Sequence, residues 1–162
     1  MRRLRQICRR LAGTAGTNLI EAAIITPLLL LLTFSIVDFA SLLFTFLALE
    51  NGVSQATRYA ITGQAMDDPG NPGTPLNREG SIMAAMRIAT PSLTIADGNF
   101  SFAHMSPGAS TWAGGAGGPE DIGKVTVTYN WLPLTPLLKP FLAGGTMSVS
   151  VESAMKNEPK FE

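Results

Sequence analysis

The chain has 162 residues, about one domain, of which 46% are hydrophobic and only 15% are charged. Its net charge is zero, yet the first 16 residues hold five arginines and no acid, so the remainder is acidic. No further cluster of lysine or arginine follows, which argues against a nucleic-acid-binding protein. The single cysteine, Cys8, excludes an intramolecular disulfide, and we interpret it as a thiol in a cytoplasmic leader.

A long apolar segment follows the arginines. Residues 22–37 carry no charge, and from Leu19 to Leu49 the charged side chains are Glu21 and Asp38 alone. As a helix this stretch would be roughly 46 Å long, whereas the hydrocarbon core of a bilayer needs about 30 Å. The sequence predicts a membrane-spanning helix that continues beyond the bilayer as a stalk. The preceding arginines predict a cytoplasmic N-terminus.

A cleavable secretory signal is the alternative interpretation of this segment. The apolar stretch is too long for one, and it runs on as a helix instead of stopping at a small-residue site. Pro27 does not oppose the prediction, because membrane helices tolerate proline.

The predicted stalk is amphipathic. Its apolar residues step alternately by four and three, which predicts one buried stripe that packs either on the distal domain or on neighbouring helices. The stripe consists of Leu42, Phe46, Leu49, Val53, Ala56 and Ala60. Gly63 suits the end of the helix.

Residues 66–162 read as a small distal domain. A turn-rich linker (66–74) precedes a short helix over 77–90, with Asn77 as N-cap, Glu79 in the first turn and Pro91 as the stop. The predicted apolar side of this helix comprises Ile82, Met83, Met86, Ile88 and Ala89.

Alternating residues predict strands in the rest of this domain. The predicted strands are 92–96 and 99–103 around an Asp97-Gly98 turn, then 124–131 and 147–154. The connecting segments are a mobile glycine-rich loop (106–119), a proline-rich stretch (132–141) and a turn at Gly144-Gly145. A frayed polar tail, 156–162, ends the chain.

These elements predict an α+β fold, in which a long N-terminal transmembrane helix continues as an amphipathic stalk packed by a small antiparallel sheet domain. The expected division is a basic cytoplasmic leader (1–16), a transmembrane and stalk helix (17–65) and an extracytoplasmic α+β domain (66–162).

No constellation of residues predicts an enzyme, a cofactor or a metal site. His104 is the only histidine, and Cys8 would lie across the membrane from it. The acidic pairs Asp67-Asp68 and Glu120-Asp121 lack calcium-loop spacing. The glycines of 114–118 lack the strand, helix and lysine of a phosphate-binding loop. Trp112 and Trp131 are interpreted as packing residues.

Glu21 is the informative charge. A carboxylate in an apolar helix is costly unless it lies at the headgroup level near the helix start or has a partner. If the chain is cut after Gly16, Thr17 gains a cationic α-amine, and Glu21 could neutralise that amine in a neighbouring subunit. Asp38 either lies at the outer interface or pairs with another helix.

The stretch NLIEAAIITPLLLLLTFSIVDFASLLFTFLALENGVSQATRYA resembles the signature helix of TadE-like proteins of the tight-adherence (Flp) pilus system. The later run VTVTYNWLPLTPLLKPFL…MSVSVESAMKNE is also similar to that family's ending, whereas residues 66–123 match no motif. One departure is Ala22, where the motif commonly has tyrosine after the glutamate.

The resemblance implies a pseudopilin or minor pilin of the inner membrane, which a prepilin peptidase would cut between Gly16 and Thr17. Its expected partners are other pilus subunits, the inner-membrane assembly platform, the peptidase and membrane lipid. The implied role is in pilus assembly for adhesion and biofilm formation. The alternative is an uncleaved, single-pass envelope protein that scaffolds or binds a partner, and retention of residues 1–16 would favour it.

Overall fold

The computed structural model describes the backbone of residues 2–160 and the side chains of residues 16–160. Its first element, α1, is a single helix over Arg2–Thr62. α1 ends as predicted, because Gly63 adopts a φ of 68° and donates its N–H to the carbonyl of Ala60 at 3.2 Å. The side chains of Cys8 and of the leader arginines lie outside the described residues.

The exposure of its side chains divides α1 into two parts. From residue 16 to residue 37 the side chains are exposed, apart from the half-buried Ser35, and Asp38 is the first buried residue. Within the described residues, Gly16–Thr62 is long and apolar enough to cross a membrane. We call residues 19–37 the membrane segment and residues 38–62 the stalk.

The stalk buries one stripe, as predicted, against the chain's own distal domain. Leu49, Val53, Ala56 and Ala60 lie in the core. Phe46 was assigned to the stripe wrongly: it is 39% exposed, and Thr45 lies buried instead. The stripe continues towards the membrane through half-buried Leu42 to Asp38, so its last member is a carboxylate.

The predicted linker is a small antiparallel ribbon. β1 (Asp67–Asp68) pairs with β2 (Asn71–Pro75), and its turn is stabilised by the Asp68 carboxylate, which accepts from the N–H of Gly70 at 2.9 Å. Aspartate favours such turns because its side chain binds its own backbone two residues on.

The second helix, α2 (Arg78–Ala89), has the predicted N-cap, because Asn77 accepts from the N–H of Gly80 at 2.8 Å. Ile82 and Met86 are buried and α2 packs on α1. Ile88 is 72% exposed, which corrects its assignment to the apolar side. It lies about 200° around the helix from Met86.

The sheet has four strands in the order β4-β3-β5-β6, and each pair is antiparallel. The strands are β3 (Phe100–Met105), β4 (Ala113–Gly114), β5 (Ile122–Trp131) and β6 (Met147–Lys156). One face packs on α1 through β5 and β6, as the predicted alternation requires. Met147 is an exception to that alternation, since its side chain is 44% exposed at the strand end.

α1 and β6 run in the same direction, and β5 runs opposite to them. At the membrane end, the indole N–H of Trp131 donates to Ser41 Oγ at 3.2 Å. At the far end, the N–H of Glu158 donates to the carbonyl of Ile61 at 3.0 Å. The connection between β5 and β6 therefore lies at the membrane end of the domain.

Residues 92–96 do not form the predicted strand, and Asp97–Asn99 is a 3₁₀ turn instead of a hairpin. The segment begins in a turn, where the N–H of Leu93 donates to the carbonyl of Thr90 at 3.1 Å. The guanidinium of Arg87 then donates to the carbonyl of Ile95 at 3.0 and 3.2 Å and pairs with the Asp97 carboxylate. The carbonyl of Ile95 is therefore bound to a side chain of α2 instead of to a neighbouring strand.

The glycine-rich loop is held by specific contacts. It contains β4, and the carboxylate of Asp121 accepts from the N–H of Gly118 at 2.7 Å. Asn157 donates its side-chain amide to the carbonyl of Gly118, also at 2.7 Å. Asn157 is buried, so the start of the tail predicted to fray is part of the domain.

Candidate functional site

Gly16 and Thr17, the predicted cleavage pair, lie on α1 before the membrane segment. Gly16 is exposed, and a Cβ added to it would meet no atom within 4 Å. Glycine inside a helix costs about 1 kcal/mol relative to alanine. Among the described residues, no side chain packs against Gly16 closely enough to require glycine there.

Glu21 lies four residues after Thr17, so both side chains are on the same face of α1. Its side chain is exposed. Among the residues whose side chains the structure describes, none forms an ion pair with Glu21. A carboxylate in this position is available to a group outside the folded chain.

The exposed apolar surface of α1 is longer than a bilayer is thick. It runs from Leu19 to Leu47, roughly 43 Å along the helix against a hydrocarbon core of about 30 Å. Beyond Asp38 this surface turns away from the distal domain. Its members there are Phe39, Leu43, Phe44, Phe46 and Leu47, which we call the outer stalk face.

Asp38 is fully buried where the membrane segment meets the stalk. Its two carboxylate oxygens accept from the backbone N–H of Thr135 at 2.9 Å and from the Thr135 hydroxyl at 2.5 Å. The sequence left open an interface position or a partner on another helix, and the partner proves to be the chain's own distal domain. The sequence contains one indication of this partner, because Thr135 is the one polar residue in the apolar run LPLTPLL.

His104 contacts the glycine-rich loop and contributes to its packing. Its Nδ1 lies 3.2 Å from the carbonyl oxygen of Gly115, and its Cβ and Cγ lie close to Gly117. Gly117 has a φ of 73°, and a Cβ there would come within 2.6 Å of His104 Cβ, so glycine is required. His104 thus packs the loop on the sheet.

Asp121 and Arg78 join this loop to the end of the stalk. The hydrogen bond from the N–H of Gly118 lowers the pKa of Asp121, and the charges of His104 and Arg78 act in the same direction. Burial lowers the pKa of Arg78, whose Nη2 donates to the carbonyl of Ala60 at 2.9 Å. Among the described residues, no group of three or more histidine, cysteine or acidic side chains could hold a metal ion.

Three features of the described residues are therefore notable: the Glu21 carboxylate has no ion-pair partner among them, the apolar surface of α1 is longer than a bilayer requires, and none of their atoms packs against Gly16. A comparison with curated proteins and one with solved structures find no match. The model of one family, TadE-like protein, matches residues 16–58, from the predicted cleavage glycine to near the end of the stalk. Residues 16–58 are thus a TadE-like segment, which relates this chain to the pilin-type structural proteins associated with the Tad pilus.

Proposed function

We propose that this protein is a pseudopilin or minor pilin of a tight-adherence pilus. It would be cut by a prepilin peptidase between Gly16 and Thr17, and it would act in pilus assembly and thereby in adhesion and biofilm formation. One observation carries the proposal: the exposed apolar surface of α1 is longer than the hydrocarbon core of a bilayer, and its far part, the outer stalk face, lies on the side that the distal domain leaves uncovered. Such a surface suits helix packing between subunits.

The residues around the cleavage pair support this proposal. No described side chain packs against Gly16, and the TadE-like match begins at this residue. After cleavage, Thr17 would carry a cationic α-amine, and Glu21 of a neighbouring subunit would neutralise it. That pairing would fix the register between helices and remove the cost of an unpaired charge in an apolar environment.

The first experiment determines the N-terminus of the membrane-extracted protein by mass spectrometry, in cells with and without a prepilin peptidase. We expect a start at Thr17 only where the peptidase is present. Gly16→Leu should leave the leader attached, whereas the control Gly13→Leu should still be cut. A start at Met1 in both strains would favour the uncleaved envelope scaffold.

The outer stalk face is tested separately. Phe44→Asp and Leu47→Asp should leave folding intact, because both side chains point away from the distal domain, yet they should reduce cross-linking to other pilus subunits. Gln55→Asp, on an exposed and already polar position, is the matched control. Unchanged cross-linking in both variants would contradict subunit packing through this face.

A further inference from the structure

The connection between β5 and β6, residues 132–146, is the part of the distal domain nearest the membrane segment. Trp131, at the end of β5, contacts Ser41, and Thr135 contacts Asp38 one turn closer to the membrane segment. The hydrogen bond between Glu158 and Ile61 fixes the opposite end of the domain far along the stalk. We call residues 132–146 the membrane-side loop.

The membrane-side loop has an unusual surface for a segment outside a membrane. Leu134 is 69% exposed, Phe141 is 82% exposed and Leu132 is 54% exposed. The whole loop carries one charge, the exposed Lys139, and no acid. Proline supplies three of its residues and reduces the number of N–H donors that an apolar environment would leave unsatisfied.

The depth of this loop follows from the helix that holds it. Asp38 lies roughly 26 Å along the helix axis from Glu21, at about 1.5 Å per residue. With Glu21 at one headgroup level, a hydrocarbon core of about 30 Å ends near Ser41. The hydrogen bonds between Asp38 and Thr135 therefore place the loop at the boundary between acyl chains and headgroups on the domain's side.

We propose that the membrane-side loop inserts Leu134 and Phe141 into this boundary and contacts lipid. Lys139 extends its ammonium group to lipid phosphates while its methylene chain remains among apolar groups. The hydrogen bonds of Thr135 to Asp38 fix the loop at that depth, and the carboxylate is shielded from lipid because it is fully buried. The domain then has a second membrane contact beside α1, which restrains its rotation and tilt.

The inference rests on α1 spanning the membrane and does not require a pilus role. Its test starts from a Cys8→Ser background, in which single cysteines carry an environment-sensitive fluorophore. The labelled variants are Leu134→Cys, Phe141→Cys, Leu30→Cys within the membrane segment and Lys156→Cys at the far end of β6. Each is reconstituted in vesicles of phosphatidylethanolamine and phosphatidylglycerol with or without lipids that carry a nitroxide near the headgroup or deep in the acyl chain.

We expect labels at 134 and 141 to be quenched most by the shallow nitroxide, the label at 30 by the deep one and the label at 156 by neither. If the label at 30 is quenched but the labels at 134 and 141 are not quenched, as expected for the label at 156, the loop contact is wrong and the membrane span still holds. Emission from the labels at 134 and 141 could instead be blue-shifted, unaffected by either nitroxide and dependent on protein density. The loop would then contact a second copy of this chain, and the lipid contact would be wrong. Loss of quenching at 30 would overturn both the span and the loop contact.

Discussion

The carboxylate of Asp38 accepts two hydrogen bonds from Thr135, a residue 97 positions later in the chain. It joins the first residue of the stalk to the connection between the two longest strands. By sequence, Asp38 looks like a charge within the membrane. In the structure, its hydrogen bonds join the stalk to the distal domain. These two hydrogen bonds offset the cost of burying the carboxylate, which explains how an aspartate is tolerated beside the apolar membrane segment.

Asp38→Ala should destabilise the distal domain by about 1–3 kcal/mol, because the buried N–H of Thr135 loses its acceptor. Denaturant unfolding in detergent micelles, followed by tryptophan fluorescence, measures the loss. Asp38→Asn is the matched control, since its amide oxygen can still accept from that N–H. An equal loss in both variants would contradict a role for the hydrogen bond and point to the charge instead.

Gly52 lies where α1 packs closely on the C-terminal end of α2. A Cβ at this position would lie 2.4 Å from Thr90 Cγ2 and 3.3 Å from Met86 Cε. We expect Gly52→Ala to reduce stability, because overpacking costs about 1–3 kcal/mol whereas the helix gains only about 1 kcal/mol from alanine.

The control and the rescue for Gly52 use the same unfolding measurement. Gly98→Ala should have little effect, because a Cβ there meets no atom within 4 Å. Adding Thr90→Ser to Gly52→Ala removes the clashing methyl group but keeps the hydroxyl that donates to the carbonyl of Met86 at 2.8 Å. If this double variant were no more stable than Gly52→Ala, the steric explanation would be wrong.

The stability of the domain should depend on the charge of Asp121. The N–H of Gly118 holds the pKa of Asp121 below its ordinary value, so ionised Asp121 stabilises the fold above about pH 4. That contribution is lost as the pH falls through the lowered pKa. Asp121→Asn should therefore melt at a lower temperature than the parent at pH 7, with the difference shrinking towards pH 2.

Asp67, an exposed residue, supplies the control for this pH series. Asp67→Asn should follow the parent at each pH when thermal unfolding is monitored by circular dichroism. A melting difference for Asp121→Asn that stays constant from pH 7 to pH 2 would mean that the carboxylate acts without its charge.

Glu21→Ala should leave membrane insertion and folding intact, since the removed charge forms no ion pair with a described side chain, but it should impair assembly. Carbonate extraction of membranes reports insertion, and electron microscopy of the cell surface reports filaments. Glu50→Ala, at an exposed position on the stalk, should preserve filaments. Normal pili in the Glu21→Ala strain would remove the proposed register role.

The sequence predicts the elements whose pattern is local. The end of α1 at Gly63, the N-cap Asn77 and the alternation of β5 follow from residue type and period, and the structure confirms them. The wrong assignments depend on long-range partners. Residues 92–96 have the sequence pattern of a strand, but in the structure the carbonyl of Ile95 accepts from Arg87 and not from a neighbouring strand.

The same distinction applies to the candidate site. Phe46 fits the apolar stripe by spacing, yet the stripe ends in Thr45 and Asp38 because a carboxylate there has Thr135 to bind. Neither periodicity nor composition identifies a partner 97 positions away. Gly16, Thr17 and Glu21 are different, because their proposed roles depend on other molecules and their own fold leaves them exposed.

The pairing of α1 with β6 also determines when the domain can fold. The stalk is synthesised before β6, which packs against its apolar stripe. The apolar stripe of the stalk thus stays partly uncovered until β6 has been made. Folding waits for this strand, so a chain truncated before β6 would remain incompletely folded and a target for chaperones and proteases.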